Sequence, residues 1–264
     1  MFYKLFLRGF LIKVSHFLTF VLKIIRANIF NVSVNLPVYI VIKSKKLVYI
    51  VNSKAACSSI KKALIESDLS KELVVDNYSD IHKYSKKFGY QKNKITKKET
   101  AFYFFTFVRN PFKRIVSLYV NKFEDREKIV KSGYFQYKNY MGGIIDQNIT
   151  FNSFVKIVSN IPDKFSERHF ISQSFYVDMS PKNLDFIGKL ENFHEDYGII
   201  CKTVGIENKI TNSNKSFNYD YKDYYNIETL DLVYRRYKND VMGFGYENEY
   251  KELKKYIIQR DAKI

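Results

Sequence analysis

The feature that most limits what this chain can fold into is the segment "AFYFFTFVRNPFKRIVSLY", residues 101–119. Ala101 to Val108 is an unbroken aromatic and β-branched run, as expected of a strand covered on both faces. The period then changes at once. Pro111 stands where a helix starts, because the first N–H of a helix has no intrahelical partner to lose, and Ile115, Leu118 and Tyr119 share one stripe. The order is strand, loop, helix, which calls for a layered α/β domain.

A second unit of the same order lies upstream. "LPVYIVIKSKKLVYIVN" (36–52) reads as two β-rich runs split by a Lys/Ser turn. "SKAACSSIKKALIES" (53–67) then takes helical spacing, with Ile60, Ala63 and Leu64 on one face and Ser58 or Ser59 as the N-cap. Further helices are expected over 151–159, 192–204 and 227–240 and after Tyr246, with a short buried strand in "LDFIGKLEN". Residues 76–98 are polar and Lys-rich and take no clear assignment, and neither a repeat nor a linker divides the chain. The expected fold is therefore α/β. It is a single P-loop-like domain over 36–264, a central mainly parallel sheet flanked by helices, preceded over 1–35 by a basic amphipathic helical segment.

Composition narrows the functional class. At 264 residues, 46% of them apolar, there is material for a packed core, and 10 Gly with 4 Pro exclude collagen-like and low-complexity chains. Cys57 and Cys201 cannot build a disulfide framework, and His16, His82, His169 and His194 are too scattered for a zinc helix, so no metal is expected. The net charge of +17 suits nucleic acid, an anionic membrane face or a phosphorylated ligand. Residues 1–30 carry Lys4, Arg8, Lys13, Lys23 and Arg26 with no acid. Their longest uncharged run, Val14 to Leu22, is nine residues, where a spanning helix needs about 20. The segment reads as an amphipathic helix lying in a membrane interface, or as one packed on the domain.

The chemistry lies in the loops that follow the strands. A strand that ends in small residues and opens a helix presents backbone N–H groups and a positive dipole end to an anion. Around Lys54, the residues Ala55, Ala56, Cys57, Ser58 and Ser59 supply small volume without glycine, since none occurs between Gly9 and Gly89. In the second loop Arg109 follows the strand, and Arg114 and Ser117 come around the next two helical turns. Arg109 and Ser117 together suit one phosphate, the guanidinium through bidentate contact. A Lys/Ser turn capping a helix and a solvated basic helix start are the plain structural alternatives. Two anion loops at strand carboxyl ends of one open sheet suit a ligand with two separated phosphates.

"NSKAACSSIKKAL" resembles the 5′-phosphosulfate loop, and "FVRNPFKRIVSLY" the 3′-phosphate loop, of sulfotransferases that use 3′-phosphoadenosine 5′-phosphosulfate (PAPS). "DFIGKLENFHED" and "YKDYYNIETLDLVYRRYKNDVMGFGYE" resemble the carboxyl-terminal portion of the Golgi carbohydrate sulfotransferases and their bacterial relatives, so the likeness covers about 47–247. The resemblance implies that Lys54 contacts the phosphosulfate, Ser58 and Ser59 the 5′-phosphate, and Arg109 and Ser117 the 3′-phosphate. It also brings Lys215 and Ser216 of "NSNKSF" toward the nucleotide. Ser53 replaces the family's proline before the lysine, and Ala55 or Ala56 its glycine.

What the likeness implies is a carbohydrate O-sulfotransferase acting on a polysaccharide or glycolipid, with an acceptor that is anionic or lipid-linked. Lys54 would neutralise charge growing on the leaving oxygen. His82 is placed as the acceptor's base, with His169, Asp80, Glu99 or no protein group as alternatives, and His169 is also expected to line the acceptor cleft. His16 and His194 read as structural. The lysines from Lys83 to Lys98 read as a solvated loop or an acceptor groove. A cytoplasmic enzyme at the inner membrane face of a bacterium fits better than the Golgi lumen. Two other classes remain open, a basic nucleic-acid-binding protein and a non-catalytic membrane-associated binding module.

Overall fold

The computed structural model describes residues 18–30, 33–74, 80–124, 140–146, 148–208 and 219–263. A helix over 18–29 (α1) leads into strands β1 (Tyr39–Ile42) and β2 (Leu47–Ile50), then helices α2 (Cys57–Leu69) and α3 (Asp80–Lys87). Strands β3 (Gln91–Lys92) and β4 (Tyr103–Val108) precede α4 (Pro111–Tyr119), α5 (Phe151–Ser159) and α6 (Gln173–Asp178). The chain closes with β5 (Phe186–Lys189), α7 (Phe193–Val204), α8 (Ile227–Arg236), α9 (Lys238–Gly243) and α10 (Glu247–Asp261). The expected helix over 227–240 is thus broken into α8 and α9 at Tyr237.

The five strands lie in the order β3-β1-β2-β4-β5. The centre is parallel, β2 to β4 and β4 to β5, while β1 pairs antiparallel with both β2 and β3. The β1–β2 connection explains this mixture. Its three-residue turn, Lys43–Lys45, with Lys46 left-handed behind it, is too short for a crossover and can only reverse the chain. The sheet is covered on both faces, as the runs around 40, 48 and 105 demand. Ile40, Tyr49, Phe105 and Phe107 meet Ile60 and Leu64 of α2 and Tyr197 of α7, while Val41, Val48 and Phe104 meet Ile171 and Tyr176. Gly188 is required in β5, because a Cβ there would stand 2.5 Å from the Phe107 ring.

A second core fills the space beyond the carboxyl end of β4. Val108, Phe112, Ile115, Phe154, Leu230, Tyr237 and Ile257 bring α4, α5, α8 and α10 together. The segment after 79 resolves as α3 and the short edge strand β3. Lys83 pairs with Asp80 at 3.2 Å and Lys92 with Glu99, so two lysines of that run are held in ion pairs. Among the described residues no helix is long and apolar enough to cross a membrane.

Candidate functional site

Strands β2 and β4 are parallel neighbours with Ile50 opposite Thr106, so the loops after them emerge side by side. In the first loop Lys54 (φ 68°) and Ala56 (φ 55°) are both left-handed. Ala56 is the N-cap of α2, and no side chain caps that helix. This corrects the expectation that Ser58 or Ser59 would do so. Both serines lie inside the first turn, at the end of the helix where the dipole favours an anion. Ala56, not the fully buried Ala55, stands in the backbone conformation that favours glycine.

A left-handed non-glycine residue costs about 1–2 kcal/mol, so the loop must be held from outside. The second loop does this. Arg109 donates through Nη1 to the Lys54 carbonyl at 3.3 Å, and Arg114 through Nε to the Ser53 carbonyl at 3.1 Å. The buried Asn52 amide donates across to Thr106 Oγ1 at 3.1 Å and the Phe107 carbonyl at 3.2 Å. Arg114 is 2% exposed, so its role is bracing the first loop, while Arg109 and the Ser117 hydroxyl are only half-buried. Among the described residues the Ser117 hydroxyl has no hydrogen-bond partner. Burial, and then Arg114 nearby, lower the Arg109 pKa, while Tyr219 and Glu191 oppose them.

Behind Arg109 stand groups to which the sequence assigned no role. Gln173 accepts from the Arg109 N–H and donates to its carbonyl, both at 2.9 Å. Gln173 is itself fixed by Asp240, which accepts from its backbone N–H at 2.9 Å. Glu191 accepts from Asn110 N–H at 2.9 Å and from the Tyr246 hydroxyl at 2.9 Å. Asn110 caps α4, accepting from the N–H groups of Phe112 and Lys113, which suits Pro111 at the first helical position. The segments "KLEN" and "KNDVMGFGYE" thus build the rear wall of the second loop.

The third group of side chains faces Lys54. His169 Nδ1 lies 2.8 Å from Glu167 Oε2, and the Tyr140 hydroxyl donates to the same oxygen at 2.6 Å. Burial opposes ionisation of Glu167, but His169 and Tyr140 outweigh it and bring its pKa to about 2. Burial lowers the His169 pKa, Glu167 pulls it back up, and the Lys122 and Lys54 ammonium groups push it down. His82 belongs to the same cluster, but both its nitrogens are engaged. Nδ1 lies 2.9 Å from Lys61 Nζ and Nε2 lies 3.2 Å from Ser58 Oγ. Partial desolvation of the ring, then Lys61, His169, Arg168 and Lys122, lower its pKa to about 4. Lys61 and Lys122, the latter on a π turn after α4, are buried, and burial brings each to a pKa of about 8.

The other candidates fall elsewhere. Glu99 is buried under Lys92 and Thr96, whose hydrogen bonds outweigh desolvation and lower its pKa. Asp80 is tied to Lys83. His16, Lys215 and Ser216 lie outside the described residues. Among the described residues no group of His, Cys, Asp and Glu side chains could hold a metal ion.

The family whose pattern matches the chain is described as "Sulfotransferase family", and the match spans residues 37–247. No curated protein and no solved structure matches the chain significantly.

Proposed function

From the premise that this chain belongs to the sulfotransferase family, we propose that it moves a sulfuryl group from PAPS to a hydroxyl of a carbohydrate acceptor, a polysaccharide or glycolipid. The observation that carries this reading is the cross-bracing of the two loops, Arg109 to the Lys54 carbonyl and Arg114 to the Ser53 carbonyl. It holds the two loops at a fixed separation, which suits a ligand bearing phosphate at two ends. The uncapped start of α2 with Ser58 and Ser59 fits the 5′-phosphate, and Arg109 with Ser117 fits the 3′-phosphate. The carbohydrate acceptor rests on the likeness of residues 185–196 and 221–247 to carbohydrate-modifying members of the family.

When bound, PAPS supplies the sulfuryl group and a phosphate leaving group. Lys54 neutralises the charge that grows on the leaving oxygen. The proton of the acceptor hydroxyl goes to His169 Nε2, because Glu167 holds Nδ1 and so fixes the tautomer. His82 serves as a spacer between Lys61 and Ser58. Both cysteines are free, in keeping with a reducing, cytoplasmic compartment.

A nucleic-acid reading needs aromatic faces open to bases. Among the described residues only Phe30 and Phe88 are exposed aromatic side chains, which favours the enzyme. The test is thermal unfolding with adenosine 3′,5′-bisphosphate. At a hundredfold excess over Kd, binding stabilises by about 2.7 kcal/mol, so wild type should melt several degrees higher and Arg109→Ala should not. No shift in wild type would overturn the nucleotide site. Labelled sulfate transfer to a glycan panel, lost in Lys54→Ala, tests the chemistry.

A further inference from the structure

Helix α1 has two apolar faces, and the domain uses only one. Ala27 is 1% exposed, Phe20 packs against the helical core of α4, α5, α8 and α10, and Ile24 is half-buried. At 3.6 residues per turn, Leu18, Leu22, Ile25 and Ile29 fall within roughly 60° of one another on the opposite side. There they are 54%, 64%, 46% and 69% exposed, and Phe30 at the helix end is 67% exposed. Four aliphatic side chains in one exposed stripe mark a contact surface rather than scattered surface residues. Exposed Arg26 and Lys23 flank the stripe on one side, and residues 1–30 contain no Asp or Glu.

We propose that α1 docks the protein on the surface of an anionic lipid bilayer, lying in its plane with Leu18, Leu22, Ile25 and Ile29 in the acyl boundary and Lys23 and Arg26 among the headgroups. The charge decides the occupant. A protein groove for this stripe needs no cation, whereas a bilayer with acidic headgroups attracts each one. Charge spacing decides the orientation. The longest uncharged run within residues 1–30 is the nine residues from Val14 to Leu22, where a spanning helix needs about 20, so the segment lies on the bilayer rather than across it. The chain leaving α1 is pinned to the segment before the Glu167–His169 pair. Val34 N–H donates to the Lys164 carbonyl and the Asn35 amide to the Ser166 carbonyl, both at 2.9 Å. Docking thereby sets the segment that carries Glu167 and His169 relative to the lipid surface. The inference stands independently of the sulfuryl-transfer reading.

The experiment is co-sedimentation of the full chain with vesicles of phosphatidylcholine, with and without phosphatidylglycerol. Binding to the mixed vesicles is expected, weaker by roughly tenfold on neutral vesicles or in high salt. Leu22→Glu with Ile25→Glu should weaken it at least roughly tenfold on both. Lys23→Glu with Arg26→Glu should weaken it by about tenfold on anionic vesicles alone. The four side chains are exposed, so thermal unfolding of both variants should match wild type. Failure of wild type to bind mixed vesicles, or undiminished binding by Leu22→Glu/Ile25→Glu, overturns the proposal. So does a dimer in size-exclusion chromatography that this double variant returns to monomer, which would assign the stripe to a second copy of the chain.

Discussion

Glu167 holds Nδ1 of His169 at 2.8 Å, which decides which nitrogen of that ring can take a proton. A carboxylate with a pKa near 2 keeps the proton on Nδ1 and turns Nε2 into the basic atom. His82 offers no such atom, since an ammonium faces one of its nitrogens and a hydroxyl the other. His169→Gln should therefore lower kcat by about 10²–10⁴, and Glu167→Gln by a smaller factor, while His82→Gln keeps most of the turnover. Loss of turnover in His82→Gln with His169→Gln active would reverse the assignment.

The same pair sets a pH dependence. The His169 pKa lies below its ordinary 6.5, chiefly through burial, with Glu167 opposing. Turnover needs the neutral ring, so kcat/KM should be flat at neutral pH and fall only on acidification below 6.5. Glu167→Gln removes the group that raises this pKa, so the acid limb should move lower still as the plateau drops. A limb that moves upward would show that Glu167 does not act on the proton acceptor.

Gln173 makes a different kind of prediction. Its amide satisfies both backbone groups of Arg109, and Gln173→Leu keeps the volume while orphaning them. Each unsatisfied buried group costs about 1–3 kcal/mol. With two groups orphaned the variant should lose at least that much stability in urea unfolding, and the Kd for adenosine bisphosphate should rise with it. Wild-type binding in a destabilised variant would confine Gln173 to the fold.

Both loops were legible in the sequence because each is local. A buried run that turns within a few residues into helical spacing writes strand, loop and helix into consecutive positions, and Arg109 and Ser117 fall at fixed places in it. The second helical core was legible for the same reason, since α5 and α8 follow their apolar periods closely. What supports the loops was not. Gln173 reaches Arg109 across 64 positions and Glu191 reaches Asn110 across 81, through single polar side chains that leave no period. The N-cap of α2 failed for another reason. Ser58 and Ser59 are good caps, but Ala56 takes the left-handed turn first, and the helix starts at Cys57, ahead of both serines.

That turn is itself testable. Ala56 at φ 55° carries a Cβ where glycine would have none. Ala56→Gly should relieve about 1 kcal/mol in the folded state, less the entropy that glycine adds to the unfolded chain. The net change should be a small gain in the urea midpoint with nucleotide binding retained. A loss of 1 kcal/mol or more would mean that bracing by Arg109 and Arg114 leaves no strain to relieve.

Lys61 is a buried cation that the fold alone would not choose. Burial brings its pKa from 10.5 to about 8, with Arg168 adding to the effect and Cys57 opposing it. The charged form in the folded state is therefore disfavoured by about 3 kcal/mol. At pH 7 both folded and unfolded chains carry the proton, so the whole penalty applies. Between about pH 8 and 10.5 the unfolded chain holds the proton more firmly, so stability should rise with pH through that window. Lys61→Met removes the charge and keeps the length. It should be more stable than wild type at pH 7 by up to about 3 kcal/mol, and the advantage should shrink toward pH 10. Turnover should fall only modestly at the same time, because Lys61 reaches Ser58 at the start of α2 through His82, whose own replacement keeps most of the turnover. Chemical denaturation at pH 7 and pH 9.5 with parallel turnover assays checks both halves. A variant less stable at pH 7 would show that the Lys61–His82 hydrogen bond outweighs the cost of the buried charge.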